Sequence, residues 1–211
     1  MTFKRVFVAC LLALMSGFAS AATLKANSGI EIAVLNGEKV ASKTALLQPG
    51  DNQLVLEFGT RLQKGAQREY LSTAPYVVVI RSEGQQEIEV NAISQQYGKI
   101  KSLSDNNQPM FVFTSQGKEI LSKQFVLPAP AGAFPYQNVL AVITAYNKKN
   151  GLVFESGKIR ELKKEVEQAS GKKSVTGETE NVLQLKLWYS RASNAERSQF
   201  NQWILQQAKQ S

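Results

Sequence analysis

Short runs in which every second residue is apolar dominate residues 24–127. In one of them Ile30, Ile32 and Val34 alternate with their neighbours, which predicts a strand with one buried face. Asn36-Gly37 follows this strand. That pair favours a two-residue hairpin turn, because both positions of the turn need positive φ. The pattern therefore predicts a β-hairpin that turns at Asn36-Gly37.

The next runs continue the strand pattern. Pro49-Gly50 is a turn signal, and Leu54, Leu56 and Phe58 after it share one predicted strand face. Residues 76–80 form a continuous apolar run rich in valine. Such a run is typical of a strand that is buried on both faces.

A later hairpin completes the predicted β-region. Residues 110–114 and 120–127 favour two strands, joined by a turn at Gln116-Gly117. With the alternating residues 87–92, this makes about six or seven short strands separated by turns. We therefore predict a mostly β fold over residues 22–127, either an antiparallel β-sandwich or an open barrel.

A proline-rich segment interrupts the β-pattern at residues 128–135, which contain three prolines. Proline cannot continue a central strand. The segment is either a mobile linker or an extended strap across the sandwich. We favour the strap, because Phe134 offers an anchor for it.

The apolar spacing becomes helical in residues 136–211. A stripe from Val139 to Tyr146 predicts a helix, and Asn150-Gly151 is a stop signal. Residues 159–168 are helix-prone but mainly charged. Residues 170–181 are polar and favour an exposed loop.

The last segment predicts a helical hairpin packed with the β-region. Leu183 and Leu187 share one ridge of its first helix, and Leu185 and Trp188 share the next. Ser193-x-x-Glu196 is a capping-box pattern that starts a second helix. Apolar positions recur in that helix at Phe200, Trp203 and Ile204, with Gln207 on the same face.

The N-terminus has the features of a cleavable signal peptide. Lys4 and Arg5 precede an apolar core from Val6 to Phe18, and the small residues 19–21 suit a signal peptidase. We predict cleavage after Ala21 and a periplasmic location. A lipoprotein acylated at Cys10 and a signal anchor are the less favoured alternatives. No later segment is apolar enough to predict a transmembrane helix.

Residues 22–211 contain neither cysteine nor histidine. This excludes thiol nucleophiles, a histidine base and the usual zinc and copper ligands. Ser104-Asp105-Asn106 and Ser115-x-x-Lys118 match fragments of penicillin-binding enzymes, but their order is reversed and the Lys-Thr-Gly element is missing. We predict a non-enzymatic protein without catalytic residues, cofactor or metal.

The charge is basic. Loss of Lys4 and Arg5 with the signal peptide lowers the formal charge from +8 to +6. Such a surplus suits nucleic acid in the cytoplasm, but export argues against that partner. Anionic envelope polymers and acidic proteins remain as partners. A solvated surface that keeps the protein soluble is the simpler interpretation.

Three stretches carry a resemblance to a known family. They are ATLKANSGIEIAVLNGEKVAS, PGDNQLVLEF and LKLWYSRASNAERSQFNQW. They resemble the YccT family of exported proteins. The resemblance implies a periplasmic protein that restrains the polymerisation of curli subunits, which form extracellular amyloid fibres. The family offers no established catalytic residues to carry over.

The candidate binding residues lie in the terminal hairpin: Trp188, Tyr189, Arg197, Phe200 and Trp203. They could line an apolar groove for a segment of another exported protein. Burial between helix and sheet is the competing and favoured interpretation, with Arg197 in an ion pair or stacked on a ring. A β-sheet edge could also cap an amyloid subunit by strand addition. A carbohydrate- or envelope-binding module is the alternative function.

Overall fold

The structure is a computed structural model that describes residues 21–155, 158–171, 173 and 178–208. Its strands are β1 (Ala22–Ala26), β2 (Ile30–Leu35), β3 (Glu38–Ser42), β4 (Thr44–Leu47), β5 (Gly50–Lys64), β6 (Gln67–Ser72), β7 (Tyr76–Ser82), β8 (Glu87–Ala92), β9 (Phe111–Ser115), β10 (Lys118–Ile120), β11 (Ser122–Val126), β12 (Leu152–Glu155) and β13 (Lys158–Glu161). Its helices are α1 (Tyr97–Asp105), α2 (Val139–Asn150), α3 (Leu162–Ser170), α4 (Glu180–Arg191) and α5 (Asn194–Ala208).

Most of the strands form two sheets. The first sheet has the order β10-β9-β8-β1-β4, and the second has the order β11-β7-β5-β2-β3. The far half of β5 leaves the second sheet and pairs with β6. Among the described strands only β1 and β8 pair in parallel, and the other pairs are antiparallel. The mostly β prediction is confirmed.

The core lies between the two sheets, as expected for a sandwich. Leu24, Ile88 and Phe113 of the first sheet and Leu54 and Tyr76 of the second belong to one buried cluster. The Tyr76 ring meets Phe111 edge to face, with ring centroids 5.5 Å apart. The Tyr76 hydroxyl donates to the Gln108 carbonyl over 3.0 Å, so this buried polar group is paired.

The outer face of the second sheet is covered in part by α2. Val55 and Val77 of the sheet pack there with Ile143 of α2. Val34 joins them, although the sequence pattern placed it on the same face as Ile30 and Ile32. That prediction is wrong because β2 shifts register between Ile32 and Val34, and such a bulge reverses the faces of the residues that follow.

A buried pair of amides ties α2 to the second sheet. Gln53 Nε2 donates to Asn147 Oδ1 over 2.9 Å, and Asn147 Nδ2 donates to Gln53 Oε1 over 2.8 Å. Both side chains are almost fully buried. The reciprocal bonds satisfy groups that would otherwise lose their hydration without compensation.

The predicted hairpin turns are confirmed. Asn36 and Gly37 both have positive φ, at 49° and 82°, between β2 and β3. Gln116 and Gly117 repeat this geometry between β9 and β10. Buried Asn52 holds the turn before β5. Its amide donates to the carbonyl of residue 48 and accepts from the amide nitrogen of that residue.

The structure contains elements that the sequence pattern missed. Residues 97–105 form α1 within the region predicted to be all strands, and Ile100 is its buried residue. The helix-prone residues 159–168 are divided between β13 and α3, which begins at Leu162. The helix predicted to stop at Asn150-Gly151 is α2, whose C-cap Gly151 has φ 67°.

The proline-rich segment has a different anchor from the one predicted. The Phe134 side chain is 81% exposed. Tyr136 instead packs beside α2, and its hydroxyl donates to the Leu127 carbonyl over 2.6 Å. Leu127 is the buried residue at the end of the β-region, so this bond fixes the far end of the segment to the sandwich.

Some predictions fall on residues outside the described ranges. Residues 1–20 of the predicted signal peptide (residues 1–21) lie there, and so do residues 172 and 174–177 of the predicted loop. The described end of that loop reaches α4 at Glu180. Within the described residues, no helix combines the length and the apolar character needed to cross a membrane.

Candidate functional site

The candidate site rests on a small helical cluster beside the sandwich. Leu162 and Val166 of α3 pack against Leu183 and Leu187 of α4, and all four are buried. This places one predicted ridge of α4 against α3. The other ridge, with Leu185 and Trp188, faces away and is exposed.

Ion pairs hold α3 in place. The Arg160 guanidinium binds the Glu165 carboxylate through two hydrogen bonds of 2.9 and 2.6 Å. Arg191 of α4 reaches the same carboxylate over 3.1 Å. These bonds hold the pKa of Glu165 below its usual value, chiefly through Arg160. The carboxylate therefore links β13, α3 and the last turn of α4.

The second helix of the hairpin begins at the predicted capping box. Ser193 Oγ accepts from the Glu196 backbone N–H over 3.3 Å, while the Glu196 carboxylate accepts from the Ser193 backbone N–H over 2.7 Å. The bonds from Ser193 lower the pKa of Glu196. The local sequence thus specifies where α4 ends and α5 starts.

The predicted aromatic residues come together on this hairpin. Tyr189 of α4 and Phe200 of α5 have ring centroids 6.5 Å apart, and Phe200 stacks with Trp203 at 5.8 Å. Trp188 is 63% exposed and Trp203 is 53% exposed. The expectation that these rings are buried between helix and sheet is therefore wrong.

Arg197 joins the two helices of the hairpin. Its guanidinium donates to the backbone carbonyls of Tyr189 and Ser190 over 2.9 and 3.0 Å. It also lies over the Tyr189 ring, 5.2 Å from the centroid. Arg197 is therefore stacked on a ring, as one of the two interpretations expected, and it caps the C-terminal end of α4.

Two apolar grooves flank the contact between Tyr189 and Phe200 in the described residues. One has a volume of about 420 Å³, and its lining includes Leu185, Trp188 and Ala192 together with the charged Arg191 and Glu196. The other has a volume of about 440 Å³ and extends past Val166 to Ile204. The hairpin is thus not packed tightly against itself.

The structure brings together all five predicted site residues and adds three that sequence reasoning missed. Leu185, Ile204 and Leu205 are also exposed apolar side chains of α4 and α5. Helical spacing placed Ile204 on the same face as Phe200 and Leu185 on the same ridge as Trp188, and this spacing is the signal that could have identified both. Leu205 lies off that spacing.

A second candidate site lies on the outer face of the second sheet, where α2 does not cover it. Glu31 and Glu57 face each other across β2 and β5. Two adjoining clefts of about 540 and 510 Å³ share both carboxylates and Tyr136. Tyr70 and Lys43 complete the second cleft.

Two carboxylates of like charge lie next to each other in these clefts. Among the described residues, neither the Glu31 nor the Glu57 side chain has a hydrogen-bond or ion-pair partner. Burial raises the pKa of Glu57, and the neighbouring Glu31 carboxylate raises it further. Across the described residues no group of three metal-ligating Asp, Glu, His or Cys side chains occurs. The clefts suit hydrogen-bonding ligands with hydroxyl or amine groups.

The fold and the hairpin define a class of protein: a two-sheet β-sandwich that carries an exposed aromatic helical hairpin. Residues 23–203 match the family described as "Uncharacterized protein conserved in bacteria (DUF2057)". The chain belongs to this family. The match begins in β1 and ends at Trp203, so it includes both the sandwich and the aromatic part of the hairpin.

Three relatives align with this chain over most of their length and most of its own. A UPF0319 protein of Vibrio parahaemolyticus is 28% identical, over 88% of this chain and 86% of its own. One from Vibrio vulnificus is 26% identical over 92% and 95%, and one from Vibrio cholerae is 26% identical over 87% and 89%. No solved structure matches this chain significantly.

Proposed function

We propose that this protein is a non-enzymatic periplasmic binding protein. The exposed aromatic surface of α4 and α5 covers an apolar segment of another exported protein. The observation that carries the proposal is the exposure of Trp188, Tyr189, Phe200 and Trp203 side by side. Clustered exposed aromatics of this kind mark interaction sites, because burying them in a partner releases their apolar hydration.

The chemistry of the surface supports a protein partner. Tyrosine, tryptophan and arginine are the residues that contribute most to protein–protein binding when they lie at the centre of an interface. Trp188, Tyr189 and Arg197 all line the first groove. Arg197 and its hydrogen bonds fix the hairpin in place before a partner arrives, which lowers the entropy lost on binding.

Curli-type amyloid subunits are the partner that we propose. The resemblance to the YccT family supports this choice, and the predicted signal peptide supports a periplasmic location. Amyloid growth stacks apolar segments that remain exposed on unfolded subunits. A protein that holds such a segment in an apolar groove removes it from fibre growth.

Polymerisation kinetics test this function. Purified secreted curli-type subunits are allowed to polymerise with and without equimolar protein. We expect the native protein to lengthen the lag relative to subunits alone. The Trp188→Ala variant should lengthen it less, because the substitution removes the most exposed aromatic side chain of the groove.

Phe134→Ala is the matched control for this test. Phe134 is an exposed aromatic residue outside the hairpin, so the Phe134→Ala variant should lengthen the lag as much as the native protein does. An unchanged lag with the native protein at equimolar ratio would reject the curli proposal. Equal effects of the two substitutions would reject the hairpin as its site.

The clefts at Glu31 and Glu57 favour a second candidate, a carbohydrate- or envelope-binding module. Tyrosine rings beside carboxylates can stack on sugars and accept their hydroxyl hydrogens, and a basic protein is attracted to anionic polymers. Binding to isolated peptidoglycan or lipopolysaccharide should then weaken with salt. Tyr70→Ala should weaken it at constant salt. No retention at low salt counts against this candidate.

A further inference from the structure

We propose that the α4–α5 hairpin pairs with the same hairpin of a second copy of this chain. The two hairpins form a four-helix arrangement around a two-fold axis. This pairing goes beyond the proposed function and does not depend on it. Three independent features of the hairpin carry the proposal: the lack of internal support for α5, the apolar area that it exposes and its charge.

The first feature is the lack of support for α5 within one chain. This helix spans 15 residues, all of them described, and none of its side chains is buried. An isolated helix of about this length is marginal in water, since most helix stability comes from packing of an apolar face. The contacts of Phe200 with Tyr189 and of Arg197 with α4 leave grooves on both sides. A second hairpin would supply the missing packing.

The second feature is the exposed apolar area. Among the described residues, eight of the 13 large hydrophobic side chains that are exposed lie in this hairpin: Val182, Leu185, Trp188, Tyr189, Phe200, Trp203, Ile204 and Leu205. From ordinary side-chain areas, they leave roughly 600 Å² of apolar surface in water.

The size of this area suits a second copy of the hairpin as the partner. Roughly 600 Å² is at the upper end of the largest apolar patch of a monomer. It is also close to the ~800 Å² that each partner contributes to a standard interface. With the polar rim included, a second hairpin can cover the whole patch in a self-complementary contact.

The third feature is charge. The chain carries a formal charge of +8, or +6 after the predicted cleavage, so two copies repel each other over most of their surfaces. From Ser198 to Ala208, α5 contains no ionisable side chain. The groove where α5 begins is lined by both signs, with Arg191, Arg197 and Glu196. A second copy therefore meets little charge repulsion along α5.

Self-pairing and client binding use the same side chains. If the proposed function holds, an apolar segment of another exported protein must displace the second copy. The dimer is then the form of the protein that has no such partner bound. This consequence rests on the proposed function, whereas the pairing itself can be measured on the purified protein alone.

Dilution of the purified protein tests the pairing directly. Both tryptophans of the sequence, Trp188 and Trp203, lie in the hairpin, so tryptophan emission reports on this surface alone. Sedimentation velocity should give twice the monomer mass at high concentration and the monomer mass after dilution. The emission should shift to longer wavelength over the same concentration range, because water reaches the indole rings.

A matched pair of substitutions locates the interface. Ile204→Glu introduces a charge into the hairpin and should raise the dissociation constant at least tenfold, while both tryptophans are retained. Ile93→Glu is the control, since Ile93 is a similarly exposed isoleucine outside the hairpin. It should leave the dissociation constant unchanged. Trp203→Glu, followed by mass alone, serves as a second variant if Ile204→Glu loses helical circular dichroism.

Each of several outcomes would overturn the pairing. One is a monomer at every concentration, and another is emission that does not change as the mass falls. A third is a dimer that survives both hairpin substitutions. Binding of lipid vesicles by a protein that stays monomeric would show a different occupant. A stable dimer without any effect on subunit polymerisation would leave the pairing intact and reject the proposed function only.

Discussion

On β5 of the sandwich, three successive residues, Leu54, Val55 and Leu56, are fully buried, whereas Phe200, Trp203 and Ile204 of α5 are between 38% and 53% exposed. The sandwich can bury both faces of one strand because the first sheet covers one face and α2 covers the other. Within the part of the chain that the structure describes, α5 has no such cover, and none of its side chains is buried. The difference indicates that sandwich side chains stabilise the fold, while hairpin side chains are available to a partner.

The strongest test of this comparison replaces one leucine in each region with alanine. Leu56→Ala should lower the free energy of unfolding by about 2–5 kcal/mol, because it opens a cavity between the sheets. Leu205→Ala should change it by less than about 0.5 kcal/mol, as at most exposed positions. Urea unfolding of the two variants in dilute protein measures both values.

Dilute protein matters in this experiment, since pairing of hairpins would add to apparent stability at high concentration. Similar losses for the two variants would contradict the division of the molecule into a self-sufficient sandwich and an unsupported hairpin.

The second prediction concerns α2, the helix that the sandwich does support. Asn147→Leu should destabilise the protein by roughly 1–3 kcal/mol, because it leaves the Gln53 amide buried without a partner. Gln53→Leu combined with Asn147→Leu removes both polar groups and should restore most of the loss. Thermal unfolding of the single and double variants gives the comparison. A double variant as unstable as the sum of the single ones would show that the pair does not act as a unit.

The third prediction moves to the hairpin. Ser193→Ala removes the N-cap of α5 and should destabilise that helix by about 1 kcal/mol. Hydrogen exchange should increase in α5 and stay unchanged in the strands of the sandwich, since α5 buries no side chain against them. Ser190→Ala is a useful control, because its hydroxyl bonds back to a carbonyl within α4 and caps no helix start. Faster exchange throughout the sandwich would show that the two regions unfold together.

The sequence predictions succeeded where a structure depends on neighbouring residues, and they failed where it depends on contacts between distant residues. The turns at Asn36-Gly37 and Gln116-Gly117 and the capping box at Ser193 depend on a few neighbouring residues, and all were predictable. Val34 was not, because the alternation continues through the bulge and only the pairing with β5 reveals the shift. The α1 helix lacks a side-chain cap and buries only Ile100, so it leaves no apolar stripe in the sequence.

The candidate site illustrates the same limit. Helical spacing placed Trp188, Phe200 and Trp203 on helices and grouped them correctly. It could not show whether a sheet covers them, because that depends on where α3 and α4 dock on the rest of the chain. The clefts at Glu31 and Glu57 depend on the register of β2 against β5, and the register cannot be predicted from a single sequence.

The smallest expected effect concerns Glu31 and Glu57, a pair of carboxylates on the sandwich that α2 does not cover. Burial and Glu31 raise the pKa of Glu57 in the folded protein, so its ionised form disfavours folding. Glu57→Gln should therefore stabilise the protein at neutral pH, by less than about 1 kcal/mol as for other like-charged cross-strand pairs. The gain should shrink as the pH falls through the raised pKa of Glu57, because the native side chain then becomes neutral too. Glu87→Gln, at an exposed position of β8, is the control. Urea unfolding between neutral and mildly acid pH measures the difference. A gain that persists in acid would show that repulsion between the two carboxylates does not destabilise the fold.

A pair of carboxylates that repel each other on an otherwise well-packed sheet would extend the argument from the hairpin to the sandwich, since both regions would then retain surface features that do not stabilise the fold.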